Sequence, residues 1–259
     1  MPAMNAVDIE SAVDLIWSGH RAGRHHPPEL QGRLSMSDAY RVQLGLLDRY
    51  VAAGARQAGW KVGLTSKAMQ QQQRVHEPCL GFLLESGQRP SGTVFEFDRL
   101  ISPGFENELC ITMGRTLAGP GVTLEAARAA IAEVAPALEI VEKRGDFTAD
   151  LHLALADNAQ QKAFVTGPAR PLGALDLAAV TVEVLVNGTS HERAAGTAVL
   201  DTPVASIAWL ANKLAEFDRR LEAGAQVMSG SFTRQYALSR GDRVEARFDP
   251  IGPVAAQFP

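Results

Sequence analysis

Cysteine, long apolar runs and surplus charge of one sign are all scarce in this chain, and each scarcity closes off a class of protein. The two cysteines, Cys79 and Cys110, are too few for a disulfide framework and lack the paired spacing of a zinc site. No apolar stretch approaches the roughly 18 residues that a membrane span requires, so no membrane partner is expected. Lys and Arg number 25 against 29 Asp and Glu, a formal charge of -4, which gives a polyanion nothing to bind and argues against nucleic acid as a partner. The stretch from Met1 to Asp14 carries acids and no basic leader, so no signal peptide is expected. What remains is ordinary globular chemistry: 46% hydrophobic and 21% charged residues over 259 positions exclude disorder and fit one large domain, or a core with a smaller appendage. The expectation is a soluble, reduced, cytoplasmic protein.

The pattern begins helical. Ile9, Val13 and Ile16 recur at helical spacing between Asp8 and His20. Arg24, His25, His26, Pro27 and Pro28 then break it. A second helix is predicted from a cap at Ser35 or Ser37 to Gly54. From Trp60 the character changes. A strand Trp60–Leu64 and a polar segment Thr65–Arg74 that could be a single helix precede strand-like runs at 105–113, 136–141, 163–166 and 180–186. Asn187-Gly188 is a hairpin signal, and Val204–Phe217 reads as an amphipathic helix. Helices first and strands later predict an α+β fold, with a helical region over 1–59 and a β-rich catalytic core over 60–259.

Three glutamates carry the chemistry. On a strand, Glu106 and Glu108 project from one face, where two like charges need a cation between them or a proton on one. A hard divalent ion satisfies that need, and so does simple exposure of the strand face. Glu139 lies in the apolar run Ala135–Val141, where a carboxylate needs a partner, either the same metal or a buried Lys or Arg. Glu142, beside Lys143 and Arg144, is expected at the surface. Lys61 opens a Gly-containing turn and could bind a substrate carboxylate, transfer a proton or stand in solvent.

The run from Trp60 to Gln70, with Glu77-Pro78 and Gly81, resembles the 2-oxopent-4-enoate hydratases. Their relatives are the 2-oxohept-4-ene-1,7-dioate hydratases and 4-oxalocrotonate decarboxylases of the fumarylacetoacetate hydrolase superfamily. The likeness continues through Glu106-x-Glu108, Leu117–Thr123, Pro136–Glu139, Ala156–Ala159, 204–214 and Gly230–Arg234, nearly the whole chain in order. It implies a mixed β-sheet core of that superfamily's type with an N-terminal helical region. It also implies Mg²⁺ or Mn²⁺ held by Glu106, Glu108 and Glu139, and a 2-oxo acid chelating the ion. The activity implied is hydration of a 2-hydroxy-2,4-dienoate to a 4-hydroxy-2-oxo acid in aromatic catabolism, by a homo-oligomer able to associate with a related pathway enzyme.

Two departures from the family pattern keep other outcomes open. Cys79 stands where relatives carry an acid after Glu-Pro, which weakens hydration and leaves room for 2-oxo-3-hexenedioate decarboxylation or a non-catalytic partner role. His76 beside Glu77, on a loop over the site, is the arrangement by which C–C hydrolases of the superfamily activate water, so an acylpyruvate hydrolase is a further alternative. Lys61, His76 and Glu77 are therefore the candidate catalytic residues. Leu64, Cys79, Asp157, Gln160 and Arg234, with Lys61, are the candidate substrate contacts. Gln160 replaces the small residues of relatives, Arg234 could meet a distal carboxylate, and Cys110 is expected to serve in packing.

Overall fold

A computed structural model describes residues 7–259; the first part of the acid-bearing start, residues 1–6, lies outside the described residues. Helix Ile9–Arg21 buries Ala12, Val13 and Ile16. Helix Met36–Ala52 starts at Ser35, whose hydroxyl accepts from the Asp38 N–H while the Asp38 carboxylate accepts in return from the Ser35 N–H. This reciprocal cap fixes the helix start at the first of the two candidate serines. The two helices cross closely at Gly45, where a Cβ would come within 2.7 Å of Val13. The second helix also packs on helix Leu151–Ala156, which docks the helical arm on the β-rich core.

Two sheets form that core. The larger, curled sheet runs in the order Cys79–Leu84, Gln57–Gly63, Gln226–Met228, Pro103–Met113, Ile131–Glu142, Gln161–Thr166 and Gln88–Pro90. The short strands Tyr236–Ala237 and Arg170–Pro171 attach to its two central members. The smaller sheet runs Thr189–Ala195, Thr181–Val186, Asp242–Asp249, Gly252–Phe258 and Thr93–Val94. Its hairpin turns at Asn187 and Gly188, both at positive φ as the tight turn requires. Helix Pro203–Ala215 buries Val204, Ile207, Leu210 and Leu214 in the same core. The fold is α+β.

Pairing in the centre of the large sheet matters most. Strands 103–113 and 131–142 run antiparallel with Glu106 directly opposite Glu139. Like charges opposed across strands destabilise a sheet, so this register stands only because something else is gained there.

Three expectations need revision. Glu142 is buried, not exposed, because its strand extends one residue past Val141, where it pairs with Pro103. There Lys162 Nζ stands 3.0 Å and Arg144 Nη1 3.4 Å from its carboxylate. The helix expected within 65–74 covers only Lys67–Gln72, capped by Ser66, and buries nothing. Strand Cys79–Leu84 and helices Leu124–Ala130 and Leu151–Ala156 were not anticipated; they are short, and their apolar runs have no usable period. Among the described residues no helix is long and apolar enough to cross a membrane.

Candidate metal centre

Glu106 and Glu108 project from the same face of their strand, and Glu139 meets them from the neighbouring strand. One carboxylate oxygen from each lies within 4.8 Å of the other two. Glu108 and Glu139 are fully buried, while Glu106 borders a cavity of about 580 Å³. The curl of the sheet brings Lys61 over from its own strand, with Nζ 3.4 Å from Glu139 Oε1. Glu108 Oε2 accepts a hydrogen bond from the Gly230 N–H at 2.8 Å. Gly230 has φ +106 and no room for a Cβ, which would fall 2.4 Å from Thr65 Cγ2. Only glycine lets the backbone turn its N–H toward the carboxylate at so close an approach.

Three carboxylates against one ammonium leave an uncompensated excess of negative charge in a dry place. Glu108 Oε1 and Glu139 Oε2 have no hydrogen-bond partner. Burial first, then mutual repulsion, pushes the Glu106 carboxyl up to about 7 and that of Glu108 well above the usual range; burial also raises Glu139, against the pull of Lys61. For Lys61, burial works against the charged form, but Glu139, Cys79, Glu106 and Glu108 outweigh it and hold the ammonium beyond its ordinary range. Buried carboxylate oxygens without donors are what a hard divalent cation ligates, and a set of a few carboxylates with room for further oxygen ligands on the cavity side suits Mg²⁺. The donor set fits such an ion. Larger depressions of about 700 and 660 Å³ exist, one across the small sheet and one beside His20, but the three glutamates meet at neither.

Around the cavity stand Lys61, Leu64, Cys79, Glu106, Gln160 and Arg234, while Glu108 and Glu139 lie beneath its floor. Burial pushes the Cys79 thiol up to about 11, so it is neutral at pH 7. Gln160 donates from Nε2 to the Gly145 carbonyl. Arg234 lies over the Tyr236 ring and 3.8 Å from Glu192, with most of its side chain in solvent. The remaining candidates stand elsewhere. His76 is exposed, Glu77 accepts from Lys213 Nζ at 2.9 Å, and Asp157 turns away to His20 and Arg144. Cys110 is buried among Leu83, Ala135, Ala137, Phe164 and Met228. Sequence reasoning overlooked Lys143, Asp146 and Glu192 at the cavity, and the Gly230 N–H. Lys143 follows directly on the end of the Glu139 strand, a clue that was there to use; Glu192 arrives from the other sheet, and nothing local marks it.

Fold and site together define a class: an α+β protein with three buried carboxylates that could hold a divalent metal beneath a cavity. The chain belongs to the fumarylacetoacetate (FAA) hydrolase family, whose C-terminal model matches residues 67–258. It is 35% identical over 255 residues to a 4-oxalocrotonate decarboxylase of Pseudomonas putida, covering 98% of this chain and 95% of that one. It is 34% identical over 256 residues to a 2-hydroxyhexa-2,4-dienoate hydratase of Comamonas testosteroni, covering 96% and 97%. The solved 4-oxalocrotonate decarboxylase of Pseudomonas putida G7, complexed with magnesium and adipate, superposes with a TM-score of 0.91 at 33% identity, covering 97% of each chain.

Proposed function

We propose that this protein is a magnesium-dependent hydratase that converts a 2-hydroxy-2,4-dienoate to a 4-hydroxy-2-oxo acid in the breakdown of aromatic compounds. The sheets from strand Gln57–Gly63 onward form its catalytic core, and helices Ile9–Arg21 and Met36–Ala52 support it. The observation that carries this reading is the convergence of Glu106, Glu108 and Glu139 beside Lys61 at the closed end of the cavity. These glutamates would hold Mg²⁺, or Mn²⁺ in its place, and the ion would supply Lewis-acid polarisation to the substrate's 2-oxo group. Lys61, fixed as an ammonium, offers its positive charge to the carboxylate or to the enolate oxygen as the dienol gives up its proton. Proton uptake at C5 leaves an alkene conjugated to the 2-oxo group, and water adds its oxygen at C4 and its hydrogen at C3. Leu64 and Cys79 give the cavity an uncharged wall, while Gln160 and Arg234 lie where a substrate tail would extend. His76 and Glu77 belong to this scheme only if the loop carrying them moves over the cavity.

A second reading, 2-oxo acid decarboxylation, is favoured by Cys79. A thiol held neutral cannot take a proton from water, whereas loss of CO₂ needs only an electron sink and no such base. The two activities separate on product analysis of purified protein with and without chelator. Fall of dienol absorbance with a 4-hydroxy-2-oxo acid as product supports hydration, and CO₂ release from 2-oxo-3-hexenedioate transfers the assignment to decarboxylation. Absence of both with Mg²⁺ present rejects the lyase reading and favours a partner role beside a related enzyme. By its resemblance to the family the protein works as a cytoplasmic homo-oligomer, and light scattering tests the oligomer directly.

A further inference from the structure

Behind the cavity wall lies a buried polar group that the proposed chemistry does not use. Asn158, Ala159 and Gln160 are three consecutive non-glycine residues in the left-handed region, with φ of 56, 48 and 64°. Each is strained there, and such a run persists only where its surroundings over-determine it. Two of the three, Ala159 and Gln160, line the cavity. The third, Asn158, uses its carboxamide as a strand would, accepting from the Phe82 N–H at 2.7 Å and donating to the Phe82 carbonyl at 2.9 Å. Gly81 lies between Asn158 and Lys61: a Cβ there would stand 3.0 Å from Asn158 Oδ1 and 3.1 Å from Lys61 Cγ. The turn is therefore the backing against which the lysine rests.

Arg144 holds this turn at both ends. Its buried guanidinium donates to the Asp157 carbonyl at 2.7 Å, ahead of the left-handed run, and to the Gln161 carbonyl at 3.1 Å, just after it. Contacts at 3.3 Å to Asp157 Oδ1 and Oδ2 and at 3.4 Å to Glu142 anchor it. From the N-terminal helix, His20 completes the clamp: its Nε2 lies 2.6 Å from Asp157 Oδ1 and its Nδ1 2.8 Å from the Tyr50 hydroxyl. An ionised carboxylate only accepts, so Nε2 bears a proton in this contact. His20, His25 and Asp157 also bring three possible metal ligands within 4.8 Å, but the guanidinium already lies on that carboxylate and repels a cation.

We infer that Arg144 is a positioning residue for the reaction: by bonding both ends of the left-handed Asp157–Gln161 turn, it sets the cavity wall and, through Asn158 and Gly81, the place of Lys61. The effect on turnover rests on the lyase reading above; the effect on the turn does not. A lysine keeps the charge but cannot span two carbonyls and a carboxylate, which only the planar fork does.

The test compares Arg144→Lys and Arg144→Ala in the full-length, Mg²⁺-loaded protein. Both variants are expected to bind Mg²⁺ with wild-type affinity by calorimetry, because Arg144 bonds Glu142, Asp157 and Gln161 rather than the three glutamates. In both, kcat should fall on the order of 10²-fold, with KM changed far less, as when a reacting group is displaced by about an ångström. Added guanidinium should restore part of kcat to Arg144→Ala and none to Arg144→Lys. Hydrogen exchange should quicken at the amides of residues 158–161 in both variants, a readout that holds even if the wild type turns over no dienoate. Wild-type kcat in Arg144→Lys, or unchanged exchange over 158–161, overturns the inference. So does a loss that guanidinium leaves untouched while Mg²⁺ affinity falls in parallel. If Arg144→Ala does not fold, Arg144→Lys decides alone by exchange and kcat.

Discussion

Withdrawing the metal while scanning pH is the most direct perturbation of the glutamate centre. In the metal-free protein burial raises all three carboxyls, and the charge of Glu139 raises Glu106 and Glu108 further, so the folded state keeps protons that the unfolded chain releases. Stability contributed by a raised carboxyl is fully present below the unfolded value and is lost as pH climbs through the folded one. For Glu106 that window runs from 4.5 to about 7, and at about 1.4 kcal/mol per pH unit the loss is about 3 kcal/mol. A chain of this size moves about 2–4 °C per kcal/mol, so Glu106 alone lowers the metal-free Tm by about 6–12 °C between pH 4.5 and 7.5. Saturating Mg²⁺ binds the ionised carboxylates and stabilises the folded state by about 2.7 kcal/mol at a hundred times its Kd, so its benefit grows as pH rises. Differential scanning calorimetry at half-unit intervals, with Mg²⁺ or with chelator, reads both trends, and a Glu106→Gln variant removes the contribution of that residue. Melting curves that stay parallel across the range, with and without metal, would refute the idea that these carboxylates crowd one another in want of an ion.

Other perturbations address single residues. Glu108→Gln keeps an oxygen that can accept from the Gly230 N–H but loses its charge, so Mg²⁺ affinity should drop by about 10²-fold or more, with activity following; an unaltered calorimetric titration contradicts the assignment. Lys61→Ala should cut turnover by about 10²–10³-fold while the metal still binds. Normal kinetics in that variant would remove Lys61 from the site. His76→Ala should change dienoate turnover by no more than about twofold, since the exposed imidazole lies outside the cavity and surface substitutions of this kind are mostly neutral; a collapse of the rate would instead point to water activation by a closing loop and to C–C hydrolysis.

What the sequence reveals about this site depends on how locally each part is encoded. Glu106 and Glu108 share a face because the period of a strand is two, and any reader of the sequence can place them together. Glu139 is legible for a different reason: a carboxylate inside Ala135–Val141 must be matched by something, although periodicity cannot name the match. Glu142 reads as surface because flanking Lys143 and Arg144 resemble a solvated end, yet it is buried and the same rule holds there, with Arg144 turned back on the strand and Lys162 beside it. Residue type cannot distinguish a surface arginine from one recruited to bond carbonyls. That distinction is made by the left-handed turn at 158–160, which the sequence Asp-Asn-Ala-Gln announces only through its Asn.

Contacts between distant segments stay out of reach for the same physical reason. Glu192 comes to the cavity from the second sheet, and His20 reaches Asp157 from a helix at the opposite end of the chain. Neither residue stands out in its own segment, because a hydrogen bond across 137 positions leaves no local period. Yet the burial of Asp157 required cationic or donor partners somewhere in the fold. A buried acid in the sequence is thus a question about the fold. At Glu139 the answer is a lysine and a place for a metal, and at Asp157 an arginine and a histidine. Carboxylates alike in their demand for charge are separated by whether the cation supplied is sufficient: two donors satisfy one aspartate, but one ammonium cannot satisfy three glutamates, and that shortfall is what equips the second place to take up a divalent ion.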